Sequence, residues 1–203
     1  MVRFLAAFLL LVAWCAPANA AVTITFWSHE LGKDFPHAFF TLRGVPDAGG
    51  APIDVNYGFT ASSLTPAILM GNVRGRLDIA KPSYMRGSDA QFSVVMSDAQ
   101  YADILALVHE WGEVNTTYNL NHRNCVHFVQ EAARRVGLVG TDLPQFVKKP
   151  RSFMLALAAA NKDKVTIVAM HGSDYFAGLT PLAAPSSALA VVSTPAVPRA
   201  VNY

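Results

Sequence analysis

The stretch Asn124–Gly137 has the sequence NCVHFVQEAARRVG, whose apolar spacing predicts an amphipathic helix. Asn124 is a residue type that often caps helix N-termini, so Cys125 falls in the first turn. The apolar residues begin at Cys125 and recur at helical spacing along the stretch. The pattern therefore places Cys125 on the face of the helix that packs against the rest of the domain.

Alternating apolar residues on both sides of this helix predict strands. The strand candidates are 22–27, 36–42, 53–59, 73–80, 91–96 and 165–170. Glycine and proline in 44–52 predict a hairpin between the second and third strands. Further helices are expected at 61–70, after Ser97 with Gln100 in a capping box, and at 152–160. The predicted fold class is α+β, an antiparallel sheet packed on the cysteine-bearing helix.

The composition is that of a globular protein with a sizeable core. A chain of 203 residues is long enough for one domain, and hydrophobic residues make up 52% of it. The formal net charge of +2 lacks the strong basic bias of a dedicated nucleic-acid-binding protein. We therefore expect no nucleic-acid partner.

The first twenty residues have the features of an export signal. A short positive start, an unbroken apolar run and the sequence Ala-Asn-Ala at 18–20 are typical of a cleaved signal peptide. The apolar run is too short to span a bilayer comfortably, so no stable membrane span is expected. A lipoprotein anchored through Cys15 is the alternative, although Trp14 is too large for the residue before a lipidated cysteine. We expect an exported protein, periplasmic or secreted.

The remainder of the chain divides into a domain and a tail. Residues 181–203 are mostly Pro, Ala, Ser, Thr and Val, which predicts a flexible extension without a core of its own. The folded domain is expected at 21–180. After cleavage it retains one cysteine, Cys125, and can form no internal disulfide.

Cys125 has two interpretations. The partial positive charge at a helix N-terminus favours the thiolate, and the free backbone N–H groups there can hold a developing oxyanion. Under that interpretation Cys125 is a nucleophile. Alternatively, it is a small apolar side chain that fills the core. The spacing alone does not separate these interpretations.

A cysteine nucleophile requires a base, and the chain has six histidines. They are His29, His37, His109, His122, His127 and His171. His37 opens a predicted strand of apolar residues, where a polar ring requires an explanation, so it is favoured over His122 and His29. His127 lies two residues after Cys125 on the same helix and is expected to point away into solvent.

Two motifs carry a resemblance to a known group. The sequence YNLNHRNCVHFV at 118–129 resembles the cysteine motif of circularly permuted NlpC/P60-like proteins, a papain-like group that includes lecithin:retinol acyltransferase relatives and YiiX-like proteins. The sequence HAFFTLRG at 37–44 resembles the histidine strand of that group. The order also agrees, because the histidine strand precedes the cysteine helix. The resemblance covers about residues 22–138.

The resemblance implies a papain-like fold with Cys125 as nucleophile and His37 as general base. In that group a polar residue on the next strand orients the imidazole. Chemistry suggests Asn56 or Asp54 for this role, whereas the hairpin register places His37 opposite Phe59 or Thr60. The predicted strand 53–59 contains no histidine, so the identity of the third catalytic residue stays open.

The expected function is that of an exported cysteine-dependent hydrolase, an amidase or peptidase that forms a thioester and acts on cell-wall peptides. The acyltransferase-like residues 124–129 keep a lipid acyl hydrolase or acyltransferase as an alternative. A non-catalytic exported binding domain of the same fold is another. We expect no cofactor and no metal, because Cys125 and His127 do not share a helix face and no Cys-x2-Cys sequence occurs.

Overall fold

The computed structural model describes residues 21–30 and 35–182. The predicted signal peptide at 1–20 and residues 183–203 of the predicted tail lie outside the described residues.

The centre of the fold is a seven-stranded antiparallel sheet. The strands are β1 (Thr23–His29), β2 (His37–Gly44), β3 (Ile53–Ala61), β4 (Val73–Asp78), β5 (Asp89–Val95), β6 (Thr117–Tyr118) and β7 (Thr166–His171). Their order across the sheet is β6-β4-β3-β2-β1-β5-β7. The α+β class with an antiparallel sheet is therefore confirmed.

Helices cover both faces of this sheet. They are α1 (Pro82–Arg86), α2 (Asp98–His109), α3 (Cys125–Arg135), α4 (Pro150–Ala160) and α5 (Gly172–Ala177). The main core lies between the sheet and α2, α3 and α4, and a smaller one lies under α1 and α5. Phe40 of β2 stacks on Phe128 of α3 with ring centroids 5.3 Å apart, so α3 lies directly on the strand that begins with His37.

Local sequence signals explain where the long helices begin. Ser97 accepts a hydrogen bond from the Gln100 backbone N–H, and the Gln100 side chain accepts one from the Ser97 N–H at 3.0 Å. This is the predicted capping box at the start of α2. Asn124 caps α3, as the sequence also predicts.

The predicted helix at 61–70 is wrong. Strand β3 continues to Ala61, and a single 3₁₀ turn forms at Pro66–Leu69. Thr65 is extended, with φ −128° and ψ 158°, because the ring of the following proline disfavours the helical conformation there. The short elements α1, β6 and α5 were not expected from the sequence.

The first residues of β2 extend beyond the part of the strand that pairs with β3. Phe39 pairs with Gly58 and Thr41 pairs with Asn56. The paired residues end at Phe39, whereas β3 runs on to Ala61. His37 itself has no paired residue on β3, so the predicted position opposite it, Phe59 or Thr60, stays a prediction.

Candidate active site

A cleft of about 920 Å³ lies where β2 and α3 begin. Both His37 and Cys125 line it, together with Tyr118 from β6 and Asp78 from β4. The sheet and the α3 N-terminus therefore bring the two predicted catalytic residues to one cavity, although 88 positions separate them along the chain (125 − 37).

The side chain of Asn124 fixes the start of α3. Its Oδ1 accepts hydrogen bonds from the N–H groups of Val126 at 2.9 Å and His127 at 3.2 Å. Its Nδ2 donates to the carbonyls of Leu120 and Val147, both at 2.8 Å. One buried amide thus joins the helix to the loops on both sides of it, and this holds the first helical residue in place.

Cys125 lies against the start of β2. Backbone N–H groups of Ala38, Val126 and Cys125 itself are directed at its sulfur and lower the pKa of the thiol. Burial is the larger effect and raises the pKa to about 11, so the thiol is protonated at neutral pH. Ala38 directly follows His37, so this contact joins the sulfur to the backbone next to the predicted base. The side chains of neighbouring strand residues point to opposite faces, and the His37 ring packs against Phe39 and Tyr84.

His37 is a buried, neutral imidazole. Burial lowers its pKa to about 4; the charge of Asp78 raises this pKa, whereas His29 and Arg76 lower it. Its Nε2 is buried and makes no hydrogen bond with any described residue. Consequently no hydrogen bond joins this nitrogen to the sulfur of Cys125 in the structure.

Gly58 explains how the ring is accommodated. A Cβ atom built on Gly58 would lie 2.5 Å from Nε2 of His37 and 3.3 Å from Cε1. The imidazole therefore occupies the space that a side chain on β3 would fill. A residue with a side chain at position 58 has to displace the ring.

The two candidates for the third catalytic residue have other partners. Asn56 is buried, and it accepts a hydrogen bond from the Ala80 N–H at 2.6 Å and donates to the Ala80 carbonyl at 3.2 Å. Asp54 pairs with Arg43 at 3.4 Å. Neither side chain is hydrogen-bonded to Nε2 of His37. Asn56 instead joins β3 to the chain that follows β4.

Asp78 is the carboxylate that most affects the pKa of His37, and no sequence pattern singles it out. It pairs with Gly58 across β3 and β4, so the two positions face the same side of the sheet. Its Oδ1 forms an ion pair with Nη1 of Arg76 at 3.0 Å. The β3–β4 register was required to find it, because the sequence alone does not show which residue lies opposite Gly58.

Tyr118 is a second cleft residue that sequence reasoning gave no role. Burial, and to a smaller extent the negative charge of a Cys125 thiolate, raise the pKa of its hydroxyl to about 12. The hydroxyl and the sulfur are therefore close enough to interact electrostatically. Tyr118 is the first residue of the stretch 118–129 that resembles the cysteine motif, and this was the sequence signal that could have pointed to it.

His127 is not the solvent-exposed side chain that was expected. Its Nδ1 accepts a hydrogen bond from the Asn124 N–H at 3.3 Å, which completes a capping box. Burial lowers its pKa, with His122 and Arg123 adding to the effect. The ring points back along α3 to its N-terminus, and it acts in the cap.

The other histidines have separate local partners. His29 Nδ1 lies 3.0 Å from Ser88 Oγ, and its ring stacks on Tyr84. His109 pairs with a glutamate on the surface, and His171 with Asp89. Of the histidines in the described ranges, only His37 lines the cleft with Cys125.

Comparisons with protein-family models, curated proteins and solved structures found no match. Within residues 21–30 and 35–182, no group of three or more His, Cys, Asp or Glu side chains is placed to hold a metal ion. The helices in these same ranges are all too short or too polar to cross a membrane.

Proposed function

We propose that the protein catalyses acyl transfer through a thioester on Cys125, with His37 as the proton carrier, in a papain-like arrangement of the permuted NlpC/P60-like type. The observation that carries the proposal is the position of the sulfur. It lies at a capped helix N-terminus, next to three backbone N–H groups and beside the residue that follows His37. Such N–H groups are suited to stabilise both a thiolate and an oxyanion.

The reaction begins from a neutral thiol and a neutral imidazole. The His37 ring accepts the thiol proton as the sulfur attacks a carbonyl carbon, and it then donates this proton to the leaving group. Water attacks the thioester and releases the acid. Since Nε2 has no hydrogen bond to the sulfur, we expect the proton to pass through Nδ1 or after a movement of the ring.

The lining of the cleft favours an apolar acyl group as the substrate. Most of the side chains that line it are apolar, among them Phe35, Leu64, Ile68, Leu69, Leu120 and Val126. Its charged lining residues are Arg76, Asp78 and Lys148, and the first two neutralise each other. An acyl chain gains free energy from burial against such a surface. We therefore place a lipid or acyl ester before the cell-wall peptide that the sequence favoured.

A cell-wall peptide remains the second candidate. Lys148 lines the same cleft and is suited to bind a carboxylate of such a peptide. Export stays a prediction, because residues 1–20 lie outside the described part of the chain. A non-catalytic binding domain is the third candidate, favoured by the high thiol pKa and by the unpaired Nε2 of His37.

Product analysis separates these candidates. Purified protein is incubated in parallel with a phospholipid, with short acyl esters and with peptidoglycan, and the Cys125→Ser variant serves as the control. We expect free fatty acid and a mass increase of one acyl group on Cys125. New amino termini from peptidoglycan support the peptidase instead. Absence of turnover with all three substrates, or equal turnover by Cys125→Ser, overturns the proposed chemistry.

A further inference from the structure

Three large apolar side chains are exposed together at the mouth of the cleft. Leu64, Leu69 and Met70 are 72%, 76% and 87% exposed, and all three lie in the connection between β3 and β4. Leu64 and Leu69 also line the cleft itself. We call these three residues the apolar rim. Single exposed apolar residues are common on soluble proteins, but a group of them beside a cavity is typical of an interaction site.

The backbone presents this rim outward. The 3₁₀ turn Pro66–Leu69 contains no buried residue, and it is followed by Gly71 with φ +155°, a conformation that favours glycine. No Asp or Glu occurs between Ala61 and Leu77. The rim therefore exposes apolar surface without carboxylates that would keep it hydrated.

Basic residues flank the rim. Arg74 follows it on β4, and Lys148 and Lys149 lie on the loop across the cleft, where Lys148 is part of the lining. No ion pair holds these three cations within the described part of the chain. Asp78, the only carboxylate among the described lining residues, is paired with Arg76. The mouth of the cleft is thus apolar at its rim and positive around it.

We infer that the apolar rim docks on an anionic lipid surface. Its apolar side chains would enter the boundary between headgroups and acyl chains, while Arg74, Lys148 and Lys149 contact the headgroups. This inference goes beyond the proposed function, since docking does not depend on the thiol. Docking in this orientation opens the cleft to the lipid, so an acyl chain would reach Cys125 without crossing water.

A second copy of the chain is a poorer occupant of the same surface. Two apolar rims in contact would bring the flanking cations of both copies together without carboxylates to pair with them. Like charges held close in a partly desolvated interface repel each other. An anionic lipid surface supplies the missing negative charge, and it is the occupant to which the inference commits.

Vesicle flotation with the full chain tests this inference. The vesicles are pure phosphatidylcholine or an equimolar mixture with phosphatidylglycerol, and the rim variant is Leu64→Ser/Leu69→Ser/Met70→Ser. A matched control, Val95→Ser/Val114→Ser/Ile167→Ser, removes exposed apolar residues elsewhere, which are 66%, 70% and 57% exposed. We expect the rim variant to lose at least about tenfold in partitioning to the mixed vesicles, while the control is unchanged. Binding should also weaken in high salt.

A local reporter keeps the test decisive if the triple variant is poorly folded. Leu69→Trp should show a blue shift of its emission with mixed vesicles, and Ile167→Trp should show none. Equal loss in the rim and control variants, or equal binding to both kinds of vesicle, overturns the inference. Sedimentation that shows a dimer lost only in the rim variant overturns it in favour of a second copy. These measurements are also made with Cys125→Ser, so failed docking is distinguished from failed chemistry.

Discussion

Nε2 of His37 lies 2.5 Å from the position that a Cβ on Gly58 would occupy. The ring of the proposed base has thus taken the space in which the neighbouring strand could otherwise place an orienting side chain. This arrangement leaves a buried nitrogen without a hydrogen-bond partner among the residues that the structure describes, which is costly unless water, substrate or another group pairs with it. Asp78, which pairs with Gly58 and raises the pKa of His37, is the candidate from the sheet.

Gly58→Ala tests this relationship directly. The added methyl group overlaps Nε2 and comes within 3.3 Å of Phe39 Cβ, so the His37 ring has to move. We expect a loss of about 1–3 kcal/mol in the free energy of unfolding, as for other overpacked sites. Urea denaturation measures it, and turnover should fall with it because the base is displaced.

Gly87→Ala is the matched control for this substitution. A Cβ on Gly87 meets its nearest atom at 3.6 Å, which is an ordinary van der Waals contact, and its φ of −88° suits any residue. We expect a change within about 0.5 kcal/mol, the range typical of substitutions away from special features. Equal losses in the two variants would show that His37 is not held against Gly58.

The sequence predicted the fold best where a single capping side chain determines where a helix begins. The Ser97 capping box and the Asn124 cap depend on contacts within one helical turn, so they could be identified from the sequence. The helix expected at 61–70 does not form, because Pro66 disfavours the helical conformation of Thr65 although the stretch is rich in apolar residues.

The candidate site was harder to predict because it depends on long-range register. Cys125 and His37 were identified from their positions at the starts of a helix and a strand, and they line one cleft. The side chain of Asn56 is hydrogen-bonded to the backbone of Ala80, 24 residues further along the chain, and not to His37. The side-chain direction of His127 also depends on its cap, which helical spacing alone does not reveal.

The lowered pKa of His37 predicts a loss of stability in mild acid. Above the unfolded pKa of 6.5 the ring is neutral in both states, so it has no effect on pH dependence. Between 6.5 and about 4 the unfolded chain binds a proton that the folded chain does not, so stability falls as the pH falls. The full effect is roughly 3 kcal/mol. Urea midpoints at several pH values, compared with His37→Gln, should show a shallower slope for the variant.

Asp78 and Arg76 are expected to shift the pKa of His37 in opposite directions. Asp78 raises this pKa and Arg76 lowers it, so Asp78→Asn should move it down and Arg76→Gln should move it up. NMR titration of the imidazole in the full chain measures both shifts without requiring activity. A shift in the same direction for both variants would mean that at least one of the two charges does not act directly on the ring.

The Cys125 thiol should react slowly with alkylating reagents near neutral pH. Burial raises its pKa to about 11, and the N–H groups that favour the thiolate do not offset this. We expect the rate of iodoacetamide labelling to rise with pH throughout the range from 7 to 10, measured by mass spectrometry. If binding of a substrate or acyl ester brings His37 to the sulfur, it should lower the apparent pKa of the Cys125 thiol. This effect should be absent in His37→Gln. Fast labelling at pH 7 that reaches a plateau would show that the thiolate is already formed without any such movement.

Cys125→Ala should cost less than about 2 kcal/mol in unfolding free energy if the residue lines a cleft, whereas a larger loss would identify it as a packed core residue.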